Sequence, residues 1–166
     1  MDKEIYALSE QLGMELKSKG TVLTTAESCT GGWISQAVTM VPGSSNWFDR
    51  GFVTYTNHSK HEILGVRTST LETEGAVSEL TVREMAEGAL RCSRADCSVA
   101  VSGIAGPDGG TASKPVGTVW LATAEKDGDT RAWCLHLQGD RDAVRRETVL
   151  AALRALIDLL RRPRSA

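Results

Sequence analysis

The chain has 166 residues, enough for one domain around a single core, and its 19 basic and 21 acidic residues leave a formal charge of −2. Nothing in that balance favours nucleic acid, so an anionic ligand has to be held by a local cluster. No apolar run is long enough to span a bilayer, and Asp2 and Glu4 make the amino terminus unlike a signal peptide, so the expectation is a cytoplasmic protein without a membrane partner.

From Lys3 to Lys19, Ile5, Leu8, Leu12 and Leu16 recur at helical spacing, and Gly20 is placed to stop the helix. Residues 21–25 read as a strand running into Ala26, Glu27, Ser28, Cys29, Thr30, Gly31 and Gly32, with a helix over residues 33–38 behind the turn. Backbone N–H groups at such a helix start can bind an anion or a developing oxyanion, which marks Ser28 as a candidate nucleophile. The structural alternative is that Ser28 and Thr30 only cap the helix. Cys29 reads as a small buried thiol, and Glu27 has no assigned role.

Residues 51–55 have strand composition and lead to Ser59, a candidate cap for a short helix carrying Ile63 and Leu64. Tyr55, Asn57 and Lys60 thus stand at a second strand-to-helix junction. A helical piece is centred on Leu71 between Gly65 and Gly75. Ser78 then fits as the N-cap of a helix over residues 79–91, with Leu80, Met85, Ala86, Ala89 and Leu90 expected inward.

Residues 97–102 form a buried-strand pattern that ends in Ser102 and a loop containing Gly103, Gly106, Pro107, Gly109 and Gly110, held by backbone rather than by side chains. Residues 117–125 and 130–137 are two strands around an acidic hairpin turn. Asp140 is a cap for the last helix, whose stripe is Val149, Leu153, Leu156, Ile157 and Leu160, with Pro163 at its end. The pattern predicts a single layered α/β/α domain over residues 1–166, with a mixed sheet of parallel strands plus an antiparallel hairpin.

Parallel strands would gather three junctions at one sheet edge: Ser28 with Thr30, Tyr55 with Asn57 and Lys60, and Ser102 with its glycine loop. A serine beside a lysine and a tyrosine suggests nucleophilic acyl transfer, because a desolvated lysine can lose its proton and act as base while a tyrosine hydroxyl steadies that proton. The plainer readings are a solvated Lys60 and a half-buried strand Tyr55. Arg141 and Arg145, four apart at a helix start, are either a phosphate clamp or surface partners of Asp142 and Glu147. The four cysteines and the histidines at 58, 61 and 136 show no ligand spacing, so neither metal nor cofactor is expected. The apolar stripes of the terminal helices fit a homodimer and fit packing on the sheet equally well.

Residues 25–32, residues 51–55 with Asn57 and Lys60, residues 75–78, residues 102–110, residues 114–119 and residues 139–141 together resemble the CinA carboxy-terminal domain family. The resemblance covers essentially the whole chain from about Leu8. It implies hydrolysis of the carboxamide of nicotinamide mononucleotide to nicotinate mononucleotide and ammonia, in pyridine nucleotide recycling. The family's serine, tyrosine and lysine positions fall on Ser28, Tyr55 and Lys60. Thr30, Gly31 and Gly32 are then expected to shape the oxyanion pocket, Asn57, Ser102 and the glycine loop to hold the nucleotide, and Arg141 with Arg145 its phosphate. Family members also occur behind a larger amino-terminal domain, so this chain is expected to be the free-standing form.

Overall fold

The computed structural model describes residues 1–163. Asp2 opens α1 (Lys3–Lys19) by accepting the N–H groups of Glu4 and Ile5, and Gly20 closes it at φ 58°. Then follow β1 (Leu23–Glu27), α2 (Trp33–Thr39), a 3-10 turn (Ser44–Asn46), β2 (Phe48–Val53), α3 (Asn57–Leu64), α4 (Thr68–Thr73) and α5 (Glu79–Arg91). The chain continues through β3 (Cys97–Gly103), β4 (Thr118–Glu125), β5 (Thr130–His136) and α6 (Arg141–Arg161).

The sheet order is β2-β1-β3-β4-β5, with β1 parallel to both β2 and β3, and β3–β4 and β4–β5 antiparallel. The mixed sheet and its parallel half are as the sequence predicts. One face carries α1, α2 and α6, where Leu12, Ile34, Leu153 and Leu156 meet Leu23, Val99, Val101 and Leu121. The other carries α5 with the ends of α3 and α4, and here the strand residues are small: Ala26, Ala100, Ala122 and Ala124 against Val82, Met85, Ala86 and Ala89. Small residues on that face let α5 sit close, and the buried Ser98 hydroxyl donates to the Ala86 carbonyl across the gap at 2.8 Å. The stripes of α1 and α6 are therefore spent on the sheet and on each other.

Three local expectations are corrected. β2 lies over Phe48–Val53, not residues 51–55, because the Trp47 carbonyl already accepts the Leu23 N–H and the strand gives way to a helix cap after Thr54. Thr56 is that cap, and Ser59 is the reciprocal partner of a capping box, its hydroxyl accepting the Thr56 N–H. On α5 it is Val82 that is fully buried, whereas Leu80 is exposed at the first turn.

Among the described residues no helix is long and apolar enough to cross a membrane.

Candidate active site

β1 is central to the site because the register levels its carboxyl end with those of its neighbours: Glu27 pairs Val53 on one side and Val101 on the other. The next residues are drawn in as well, with the Ser28 N–H donating to Val101 O and the Thr54 N–H to Glu27 O. The first crossover places α2 on one face and the second places α5 on the other, so chain direction reverses about β1 and a crevice opens at this edge. Side chains alternate along β1, so Glu27 points under α2 while Ser28 points to the side of α3.

Lys60, on α3, is 1 % exposed, and its Nζ reaches the Ser28 Oγ at 3.0 Å and the Thr54 carbonyl at 2.9 Å. Among the described residues no carboxylate forms an ion pair with it. Burial pushes its pKa below the ordinary lysine value, and the nearby Cys29 only partly opposes this. The shift is toward the neutral amine, the form that can take a proton from the hydroxyl beside it. Burial also pushes the Cys29 thiol up to about 11, which leaves little of the reactive thiolate at neutral pH.

Ser28 opens into a cavity of about 210 Å³ whose lining includes Lys60, Asn57, Ala76, Val77, Ser102 and Gly103. Tyr55 and Arg141 stand at its rim, the Arg141 Nη2 donating to the Tyr55 hydroxyl at 2.9 Å and Nη1 to the Gly106 carbonyl at 2.8 Å. Asp140 caps α6 through the Ala143 N–H and so sets Arg141 on the first helical turn, over the cavity. A larger groove of about 1010 Å³, at the amino ends of β1 and β3, holds none of the candidate site residues.

The turn after β1 is fixed from two sides. Glu27, fully buried, accepts from the Thr30 hydroxyl, the Ile34 N–H, the Ser35 N–H and the Ser35 hydroxyl, and so caps α2 from inside the sheet while Gly32 gives no side-chain cap. From outside, Arg145 donates to the carbonyls of Cys29 at 3.1 Å and Thr30 at 3.2 Å and lies over the Trp33 ring at 5.5 Å. Gly31 and Gly32 take φ of 61° and 100°, backbone that L side chains rarely adopt.

The family model for the CinA C-terminal domain matches residues 5–160. The chain belongs to the CinA C-terminal domain family. It is 56 % identical, over 93 % of its length and 94 % of the relative's, to a Shigella flexneri protein named nicotinamide-nucleotide amidohydrolase PncC. The Escherichia coli K12 protein of the same name is 57 % identical over the same shares. A competence/damage inducible protein CihA from Agrobacterium tumefaciens, solved by crystallography, superposes with a TM-score of 0.92 at 48 % identity, covering 96 % of this chain and 97 % of that one.

Within this CinA domain, Ser28, Tyr55, Asn57, Lys60, Ser102, Gly103 and Arg141 meet at one cavity, as the sequence predicts. Other expected site residues do not line it. Thr30 is fully buried with its hydroxyl on Glu27, and Arg145 is committed to two carbonyls and Trp33, so it clamps the turn where a phosphate clamp was expected. The glycine loop closes on its own return segment: a Cβ on Gly110 would stand 2.8 Å from the Val116 nitrogen, and Gly106 gives its carbonyl to Arg141, while Gly109 lies away from the cavity. Tyr55 is bonded to Arg141 and not to Ser28 or Lys60.

The helix start expected to bind an oxyanion is filled by the protein's own Glu27 carboxylate. Ala76, Val77 and Ala105 line the cavity without having been singled out, since small apolar residues carry no chemical mark in a sequence. His58 faces Glu62 at 3.5 Å on an exposed surface, and among the described residues no three metal-ligating side chains gather.

Proposed function

We propose that residues 1–166 form a single amidase domain that hydrolyses the carboxamide of nicotinamide mononucleotide, with Ser28 as nucleophile and Lys60 as base. One observation carries the mechanism: a lysine amine that is 1 % exposed and has no carboxylate partner among the described residues stands 3.0 Å from a serine hydroxyl at a cavity. The substrate comes from the names of the relatives in Shigella flexneri and Escherichia coli, which cover nearly the whole chain.

In this reading Lys60 Nζ takes the Ser28 Oγ proton as Oγ bonds to the amide carbon, and the carbonyl oxygen becomes an oxyanion. Collapse breaks the C–N bond, and the Lys60 ammonium gives its proton to the leaving nitrogen, releasing ammonia. Water then attacks the nicotinoyl ester, Lys60 takes the water's proton and returns it to Ser28 Oγ, and nicotinate mononucleotide leaves. The Thr54 carbonyl keeps Nζ aimed throughout.

Tyr55 and Arg141 belong to the rim, where the guanidinium supplies the positive charge a 5′-phosphate requires. Asn57 and Ser102 offer polar contacts to the substrate within the cavity. The reading places the reaction in the cytoplasm, where the four free thiols stay reduced.

The test is ammonia release from nicotinamide mononucleotide. The wild-type protein is expected to release it and Ser28→Ala to fall to background, whereas no release by the wild type would leave a pocket that binds nucleotide without turnover.

A further inference from the structure

Nicotinamide mononucleotide carries a permanent positive charge on its ring nitrogen. Among the described residues that line the Ser28 cavity there is no carboxylate to meet that charge. Glu27, next to Ser28 in the chain, is fully buried and turned under α2, where four donors hold it. The titratable groups that do line the cavity are Cys29 on the β1 turn, Tyr55 before α3, Arg141 on α6 and Lys60 itself. From β3 and the segment before α5 come Ser102, Gly103, Ala76 and Val77, none of them ionisable. Burial keeps the Cys29 thiol protonated, so the charges the protein brings to this cavity are cationic.

Attack by Ser28 limits how far the ring charge can stand from Lys60, whose Nζ is 3.0 Å from the Ser28 Oγ. The carboxamide carbon has to come within roughly 3–3.5 Å of Oγ, and the ring nitrogen lies about 4 Å from that carbon. No orientation that permits attack separates the two positive charges by more than about 10 Å. Lys60 is 1 % exposed, so little water screens it. At an effective dielectric of ~20, the repulsion moves the loss of the Lys60 proton down by about 1 pH unit at that limit and by about 2 at roughly 6 Å. We infer that the substrate's ring cation arms the base: seated against Ser28 in a cavity without a carboxylate, it repels the Lys60 ammonium and selects the neutral amine that takes the Ser28 proton. The proton displaced from Lys60 on binding goes to solvent. A carboxamide on an uncharged ring fills the same cavity without this effect, so the ring charge itself sets substrate preference. This rests on the mononucleotide being the substrate and Ser28 the nucleophile.

The test measures dissociation constants by isothermal titration calorimetry from about pH 6 to about pH 10, a range that spans the Lys60 titration. The protein is Ser28→Ala, which lacks the nucleophile. The ligands are nicotinamide mononucleotide and its C-nucleotide isostere, in which a carbon replaces the ring nitrogen and the ring is uncharged. They share ribose, phosphate and carboxamide, so the ratio of their Kd values cancels the Arg141 contact and the titration of the phosphate. Protonated Lys60 penalises only the cationic ring. The ratio of the mononucleotide's Kd to the isostere's is therefore expected to fall roughly 10- to 100-fold as pH rises through the Lys60 titration, and to stay flat once Lys60→Met is added to Ser28→Ala. Binding of the isostere certifies the fold of each variant. A ratio independent of pH in Ser28→Ala, or one that still falls after Lys60→Met, overturns the inference. Ammonia release by the wild type is followed alongside: its absence overturns the amidase reading, whereas a flat ratio with release intact removes only the part of the ring charge in arming the base.

Discussion

Lys60 Nζ and Ser28 Oγ are 3.0 Å apart although 32 residues separate them in the chain, and the pair meets because β1 and β2 end level and the Thr56 cap starts α3 directly beside the serine. A strand-to-helix turn supplies the nucleophile, and the first turn of the next helix supplies the base.

The buried amine makes activity and stability depend on pH in a defined direction. The reaction needs neutral Lys60, so kcat should rise as pH rises through the folded-state pKa, which lies below the ordinary lysine value. The unfolded chain binds that proton at higher pH than the folded one, so between the folded and the unfolded pKa stability also rises with pH, by up to about 1.4 kcal/mol per pH unit. Urea midpoints against pH should show this slope in the wild type and lose it in Lys60→Met.

Removing Glu27 should loosen the nucleophile turn. Four donors converge on its carboxylate, two of them α2 backbone N–H groups, and Glu27→Ala leaves them unpaired in the interior. A loss of about 2–4 kcal/mol in urea unfolding is expected. Thr24→Ser, on the same strand but bonded to Arg50 O, is the control and should cost far less.

Arg141→Ala should act on the phosphate rather than on the chemistry. KM for the mononucleotide is expected to rise roughly tenfold or more with kcat largely kept, and the riboside, which lacks the phosphate, should be affected little. Steady-state kinetics on both substrates decide it.

Gly88→Ala should displace α3, the helix that carries Lys60. A Cβ at Gly88 would collide with the Leu64 carbonyl at the end of α3, and backbone cannot move aside as a flexible side chain can. A lower Tm, with a stability loss of about 1–3 kcal/mol, and a reduced kcat are expected.

Much of the fold was legible because the informative signals are local. The stripe of Ile5, Leu12 and Leu16, the Ser78 and Asp140 caps and the small-residue strand through Val99 each act over a few residues. The gathering of Ser28, Lys60, Tyr55 and Ser102 was also legible, since parallel strands leave their carboxyl ends on one edge.

The roles of Glu27 and Arg145 were not legible, because they depend on partners that distance along the chain conceals. A glutamate at a strand end gives no sign that it will cap the following helix in place of a serine. Arg145 shares with Arg141 only a helical spacing, yet at that spacing one guanidinium reaches the cavity rim and the other the back of the turn. Composition alone points to a later β2, because Gly51, Phe52, Val53 and Tyr55 have better strand composition than the residues whose pairing begins it, and pairing with Leu23 decides where it starts.

The most direct measurement is to quench the protein during turnover of nicotinamide mononucleotide with added hydroxylamine as a competing acyl acceptor, map any nicotinoyl ester by peptide mass analysis, and assay the hydroxamate. The account predicts an ester on the peptide containing Ser28, hydroxamate formed in competition with nicotinate mononucleotide, and neither in Ser28→Ala. Undiminished ammonia release by folded Ser28→Ala, with no hydroxamate from the wild type, would contradict it.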